Sequence, residues 1–255
     1  MTINSLNAGL DRDGFAIIPD VLACPAIDHL LEALNCAEIN RAKRKGAVYG
    51  GRNLLALQEV RNLAADPAVR ALITPIVGAE AMPVRALFFD KTPQANWPVL
   101  WHQDLMIAVD RKHVLEDWGP WSTKAGVTHV EPPQALLAAM LTIRIHLDDC
   151  SADNGPLRVI PGIHVLGRLS RDRIREITAT TDHHTCLAPL GSALLMRPLL
   201  LHASSPAKHA SHRRVVHIEF AADSLLPPPL NWAHAPDPGV DRSSSLASGR
   251  AKTLT

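Results

Sequence analysis

Residues 141–148 alternate without a break: Leu141, Ile143, Ile145 and Leu147 fall on one side, Thr142, Arg144, His146 and Asp148 on the other. A period of two is the mark of a strand with one apolar and one polar face. The polar face either meets solvent or lines a lumen enclosed between two sheets; in the second case Arg144 and His146 are site residues. The same parity puts Arg213, Val215, His217 and Glu219 on one face, with Arg214, Val216, Ile218 and Phe220 on the other. Leu194, Met196, Pro198, Leu200 and His202 read as coplanar, so His202 ends an otherwise apolar face. Leu87, Phe89 and Lys91 share an inward parity in "MPVRALFFDKT".

Before residue 80 the pattern differs. "GFAIIPD" (14–20) predicts a short strand, and Pro25 opens a helix with Ile27, Leu30, Leu31 and Leu34 on one face. Asp66-Pro67 caps a second helix carrying Val69, Leu72, Ile73 and Ile76 at helical spacing. "RAKRKGAVYGGRN" (41–53) is basic and punctuated by glycine, which predicts a loop, either a solvated cationic patch or a flap over a site. "HVLEDWGPWSTKAGVTHVEPPQ" (113–134) predicts a long loop with two tryptophans, Trp118 and Trp121, that either anchor it or touch substrate. Lys91 and Gln134 are expected to point inward toward substrate or cosubstrate. Asn154-Gly155-Pro156 and Pro161-Gly162 mark tight turns.

Helices followed by many short strands predict an α+β chain with a mainly β core. The expected architecture is a double-stranded β-helix, jelly-roll or cupin-like, flanked by N-terminal helices. The expected organisation is one domain over 1–255: a helical part to about 80, a core at about 82–222, and an extended Pro/Ser-rich tail at 223–255.

Composition narrows the function. A net charge of +1 gives no field to recruit nucleic acid or an anionic membrane. No apolar run nears the roughly 18 residues that a membrane span needs, and the N-terminus lacks the apolar core of a signal peptide. Cys24, Cys36, Cys150 and Cys186 are scattered without a CxxC pair, which fits reduced thiols and predicts a cytoplasmic protein. No serine sits in a GxSxG elbow and no glycine-rich phosphate loop is present.

Thirteen histidines mean that each needs a positional argument. His183, His184, His209 and His212 read as loop and surface residues, and His217 as a hydrogen-bonded lumen residue. "WHQD" (101–104) is different, because His102 and Asp104 lie two apart in an extended segment. Their side chains therefore point the same way, about 7 Å apart along the backbone, and both can reach one ion. Gln103 points away. A distant histidine completes two histidines and one carboxylate, the facial arrangement that leaves open positions on a non-haem iron. His202 is the candidate, and Arg213 follows it by eleven positions on the next strand.

The combination resembles the phytanoyl-CoA dioxygenase family of Fe(II)- and 2-oxoglutarate-dependent oxygenases. The supporting stretches are "FFDKTP" (88–93), "WHQD" (101–104), "LDDCSADNGPLRVIPGIHVLGRL" (147–169) and "GSALLMRPLLLHASSPAKHASHRRVVHIEFA" (191–221), with "DGFAIIPDVL" at the N-terminal side. Carried over residue by residue, the resemblance implies His102, Asp104 and His202 as iron ligands. It implies Arg213 as the clamp for the distal carboxylate of 2-oxoglutarate, where a planar guanidinium offers two parallel hydrogen bonds. Ser204 matches a hydroxyl that binds the cosubstrate, and Leu87 an apolar neighbour of it. Arg144 departs from the pattern, standing where many members carry tryptophan, and is expected to contact the cosubstrate or an anionic group of the substrate. Ile163 departs too, replacing a serine in a turn.

The reaction implied is hydroxylation of an unactivated C–H bond of a small metabolite, consuming O₂ and releasing succinate and CO₂. Halogenating relatives lack the carboxylate that Asp104 supplies. Lys91, Trp118, Trp121 and His146 are the substrate-facing candidates. Two other readings are a cupin-like Zn²⁺ hydrolase or isomerase, which has no use for Arg213, and a catalytically silent binding protein of the same fold. Oligomeric state is not legible in the pattern.

Overall fold

Apolar residues at helical spacing in the first third, and at strand spacing after it, fold into helices packed on one side of a β sandwich. The computed structural model describes residues 3–37, 40–44, 47–209 and 211–234. The chain runs α1 (Ile3–Asp13), β1 (Phe15–Ile18), α2 (Cys24–Cys36), then a hairpin of β2 (Asn40–Arg44) and β3 (Ala47–Arg52). Next come α3 (Gln58–Ala65), α4 (Pro67–Val77), β4 (Ala81–Asp90), β5 (Val99–His102), β6 (Ile107–Val109), β7 (Trp121–Lys124) and β8 (Val127–Val130). After these are α5 (Gln134–Ala139), β9 (Leu141–His146), β10 (Leu157–Val159), α6 (Arg171–Thr180), β11 (His184–Cys186), β12 (Ala193–Met196), β13 (His202–Ser204) and β14 (Arg214–Ala222). Seven strands form one sheet in the order β1-β12-β9-β14-β4-β3-β2, and four form a second, β11-β10-β13-β5. All strand pairs are antiparallel. The fold is a jelly roll with helices α1–α4 on the outer face of the larger sheet.

The two faces of that larger sheet follow the alternation. Ile143, Ile145, Val216, Ile218 and Phe220 pack outward with Leu10, Ile27, Leu54, Val60, Val69 and Ile73 of the helical layer. Each such side chain, moved from water into this layer, contributes about 1.5–3 kcal/mol. Arg144, Arg213 and His217, on the opposite parity, turn into the space between the sheets. The polar face of 141–148 thus lines a lumen.

Local signals explain the helix boundaries. Ile27, Leu30 and Leu34 are the buried stripe of α2, and Val69 and Ile73 that of α4. The Asp66 carboxylate accepts the Ala68 amide at 2.8 Å, satisfying one orphan donor of the first turn. In the Asn154–Pro156 turn, Gly155 has φ +72°, and a Cβ there would lie 2.6 Å from the Ser205 carbonyl oxygen. Only glycine fits that approach.

Several expectations are corrected. Of the predicted loop 41–53, residues 41–44 and 47–52 are instead strand, in the β2–β3 hairpin whose inner strand joins β4 through Gly50↔Phe89 and Gly51↔Phe88. The side chains of the cationic run Arg41–Lys45 lie outside the described residues. Segment 113–134 is not one long loop either, since β7 and β8 form a hairpin that pairs with β6 into a third sheet. Residues 194–202 are not one strand. β12 belongs to the larger sheet and β13 to the smaller, with a turn between them, so the parity drawn from Leu194 to His202 does not hold. Of the tail, 223–234 folds back: Leu226, Leu230 and Trp232 are buried in a second apolar cluster with Val130, Leu137 and Met140, and Trp232 bridges Val109. Residues 235–255 lie outside the described residues. No described helix is long and apolar enough to cross a membrane.

Candidate metal centre

β5 and β13 are neighbours in the smaller sheet, and their register sets His102 directly opposite His202. The rings sit 4.2 Å apart, centroid to centroid. Asp104 follows the end of β5, its amide donating to the Pro198 carbonyl at 2.9 Å. Its carboxylate comes within 3.8 Å of His102 Nε2 and 3.7 Å of His202 Nε2. One donor atom from each residue lies within 4.8 Å of the other two.

The histidine tautomers are fixed by the backbone. His102 Nδ1 lies 2.8 Å from the Leu100 carbonyl, and His202 Nδ1 lies 2.9 Å from that of Leu200. A carbonyl only accepts, so both Nδ1 atoms carry the proton and both Nε2 lone pairs are free. Burial, then His102, lowers the His202 pKa to about 3, so its imidazole is neutral at physiological pH. Burial raises the Asp104 pKa, but His202, His217, His102 and Arg85 outweigh it and hold the carboxyl below its usual range. Asp104 Oδ2 is buried with no hydrogen-bond partner. Two lone pairs, one ionised carboxylate and an orphaned buried oxygen fit a divalent cation that takes nitrogen and oxygen ligands.

His217 is held in the opposite tautomer. Arg144 donates to its Nδ1 at 2.9 Å, so Nε2 carries the proton and donates to Glu219 at 3.2 Å. Glu219 is in turn ion-paired to Arg85. Asp104, His217 and Glu219 also cluster within 4.8 Å, but both ring nitrogens of His217 are already engaged. The His102–Asp104–His202 set is the better ligand cradle.

These groups border a cavity of about 140 Å³ lined by both sheets. Leu87, Phe89, Arg144, Arg213 and His217 come from the larger sheet and its edge, and Val99, Leu157, His202 and Ser204 from the smaller. Arg213 is buried 3% exposed, and its Nε has no partner. Burial, then Arg213, lowers the Arg144 pKa to about 10, which leaves it charged. Arg144 also lies over the Phe89 ring, 5.5 Å from its centroid. Two buried guanidiniums facing one small cavity call for an anion there.

The remaining predicted site residues lie elsewhere. Lys91 does not line the cavity but sits behind it, donating to Ser204 Oγ at 3.0 Å and to the Ser205 carbonyl. Gln134 is exposed at the start of α5, where its Oε1 accepts the Arg168 amide. Strand parity does not apply on a helix, and Gln134 does not line the cavity. Trp118 and Trp121 pack on the second apolar cluster, away from the cavity. His146 has the inward parity but lies below the cavity lining, with neither ring nitrogen hydrogen-bonded. Missed from the sequence were Trp97, Val99 and Leu157. The alternation of Leu157 with Arg158 and Val159 is the one usable signal, since Trp97 precedes a strand too short to show a period.

A family model described as phytanoyl-CoA dioxygenase matches residues 10–215. The chain belongs to the phytanoyl-CoA dioxygenase family. Among solved structures, the non-heme alpha ketoglutarate dependent epimerase SnoN from nogalamycin biosynthesis is similar at 18% identity and TM-score 0.64, over 87% of this chain and 83% of that one. EctD from S. alaskensis, solved with 2-oxoglutarate and 5-hydroxyectoine, is similar at 18% identity and TM-score 0.67, over 88% and 77%. AviO1 from Streptomyces viridochromogenes Tue57 is similar at 22% identity and TM-score 0.63, over 89% and 98%. These likenesses show a shared fold. No curated protein matches this phytanoyl-CoA dioxygenase family member.

Proposed function

We propose that this protein is an Fe(II)- and 2-oxoglutarate-dependent dioxygenase that hydroxylates a C–H bond of a small-molecule metabolite. The observation that carries the reading is the convergence of His102 Nε2, His202 Nε2 and the Asp104 carboxylate at one end of a cavity bordered by Arg213. His102, Asp104 and His202 would hold the iron. Arg213 would take the distal carboxylate of 2-oxoglutarate, with Ser204 beside it and Leu87 against its methylenes. The bound metal would supply O₂-dependent oxidation of an unactivated C–H bond, one oxygen atom of O₂ going to the substrate and the other to succinate as 2-oxoglutarate loses CO₂.

The chain's own residues contribute binding and order. The Leu100 and Leu200 carbonyls aim both imidazoles, so the ligand set is preorganised. Lys91 holds the Ser204 hydroxyl from behind. Phe89, Trp97, Val99 and Leu157 wall the cavity and exclude bulk water. EctD was solved with 2-oxoglutarate and SnoN is an alpha ketoglutarate dependent epimerase, which supports the cosubstrate and makes the outcome of the oxidation a matter for its own test. Arg213 argues against a Zn²⁺ hydrolase, which has no dicarboxylate to hold.

The test is 2-oxoglutarate turnover with Fe(II) in air, screened across metabolite classes, with succinate and the oxidised product measured together. Product gaining one oxygen atom, in step with succinate, supports hydroxylation. Turnover with Zn²⁺ alone, independent of 2-oxoglutarate, overturns the reading.

A further inference from the structure

Beyond the cavity, on its Asp104 side, two cations stand together without a carboxylate. In the β3–β4 register Gly50 pairs with Phe89, which lines the cavity, and Arg52, two residues on in the same strand, shares the face of Gly50. Antiparallel partners share a face, so Arg52 lies on the face that lines the cavity. In the β7–β8 hairpin, Trp121 and Val130 pair and turn to the second apolar cluster. Lys124, with Ser122, Val127 and His129, takes the other face. The two elements are joined next to these cations: Asn53 Nδ2 donates to the Ala125 carbonyl at 3.0 Å. Both residues of that contact adopt positive φ, 60° and 49°, a conformation that costs energy, and each directly follows one of the two cations in the chain.

Among the described residues, neither Arg52 nor Lys124 forms an ion pair or a side-chain hydrogen bond. The nearby carboxylates are committed elsewhere, Glu219 to Arg85 and Asp104 to the proposed ligand set. Two further buried groups close by, Arg85 Nε and Ser122 Oγ, also lack partners. Burial, then Arg85 and Arg52, hold the Lys124 ammonium below its ordinary range while Asp104 opposes them, so these charges share one poorly solvated space. Partly buried cations in such a space favour an anionic occupant.

We propose that Arg52 and Lys124 bind an oxyanion of the primary substrate, a carboxylate or a phosphate or sulfate ester, beside the metal centre. The anion anchors one end of the substrate while its C–H bond faces His102, Asp104 and His202. This rests on the oxygenase reading of the cavity, and the 2-oxoglutarate clamp at Arg213 is separate from it.

The experiment uses the whole protein, loaded with Fe(II) and saturating 2-oxoglutarate under argon, with propionate, sulfate and the neutral propionamide as probes. Thermal melting reads binding, and the visible Fe(II)–2-oxoglutarate band reads loading. Propionate or sulfate is expected to raise the melting temperature and propionamide is not; which anion acts distinguishes the carboxylate from the tetrahedral ester. Arg52→Gln and Lys124→Gln are each expected to weaken the anion's apparent affinity roughly tenfold while the band persists, as loss of one charge-assisted contact implies. The exposed Lys112→Gln should behave as wild type. A loaded wild type without an anion shift, or a shift retained in both variants, overturns the oxyanion site. A wild type that forms no band overturns the oxygenase reading beneath it, an outcome visible before any anion is added.

Discussion

His102 and His202 present Nε2 to one point because each Nδ1 is engaged by the carbonyl two residues upstream. Arg213 supplies the other end of the site, and its share is measurable. Arg213→Gln keeps length and polarity but removes the charge. We expect 2-oxoglutarate to bind roughly 10- to 100-fold more weakly, about 1.5–3 kcal/mol for hydrogen bonds to a charged group. Titration of the anaerobic Fe(II) protein checks it, and unchanged affinity would remove Arg213 from that role. Lys91 carries a prediction about pH. Burial, then Arg213, depresses its pKa from 10.5 to about 7. Between those values the unfolded chain binds the proton and the folded protein does not, so this group makes stability rise with pH across that window. Below about 7 its penalty is constant. In Lys91→Met the rise in urea-unfolding free energy from pH 7 upward should shrink, and an identical profile would contradict the assignment. The parity of Arg144, Arg213 and His217 was legible residue by residue. Their partners were not, because a contact such as Arg144 to His217 spans 73 positions that no local pattern encodes.

The element that fixes the ligand segment is the stretch just past β5. Gln103, between the two proposed ligands, points away from them and bonds three backbone groups: it donates to the Gly167 and Leu199 carbonyls and accepts the Leu169 amide. Gln103→Ala leaves two buried and one part-buried backbone group unpaired, and we expect a loss of about 2–5 kcal/mol in chemical denaturation. A loss under 1 kcal/mol would mean that water or local rearrangement replaces the contacts. The C-terminal return gives a second case. Trp232 is 1% exposed against the third sheet, and Trp232→Ala should cost about 3–5 kcal/mol and loosen β6. Hydrogen exchange of the β6 amides checks this. At this scale the regular strands and the stripes of α2 and α4 were readable because burial imposes a period. The β7–β8 hairpin was not, since its strands have four residues each and a run of glycine, proline and lysine around them imitates a loop. Gln134 misled for a related reason: "PPQALLAAM" turns into a helix just before the alternation begins.

Across the whole molecule, the larger sheet divides two tasks between its faces. The outer face holds the helical layer, and the inner face carries the cationic and histidine side chains that a hydrocarbon core would reject. Those inward charges are costly to bury, and the cavity, the Arg85–Glu219 pair and the proposed anionic ligands offset them. The jelly roll was legible because four family motifs stand in order over much of the chain, and the same motifs name the proposed ligand set. The fold-back at Trp232 was hidden by the prolines before it, which read as extended chain. The substrate-facing side, with Arg52 and Lys124, was also hidden, because those residues come from separate hairpins joined only in three dimensions. On the proposed reading, His102, Asp104 and His202 hold Fe(II) beside 2-oxoglutarate. The most direct measurement is the visible charge-transfer band on adding both to the protein without oxygen. We expect a weak band in wild type that disappears in Asp104→Ala/His202→Ala while the variant stays folded by circular dichroism. No band in wild type, or an unchanged band in the variant, would contradict it.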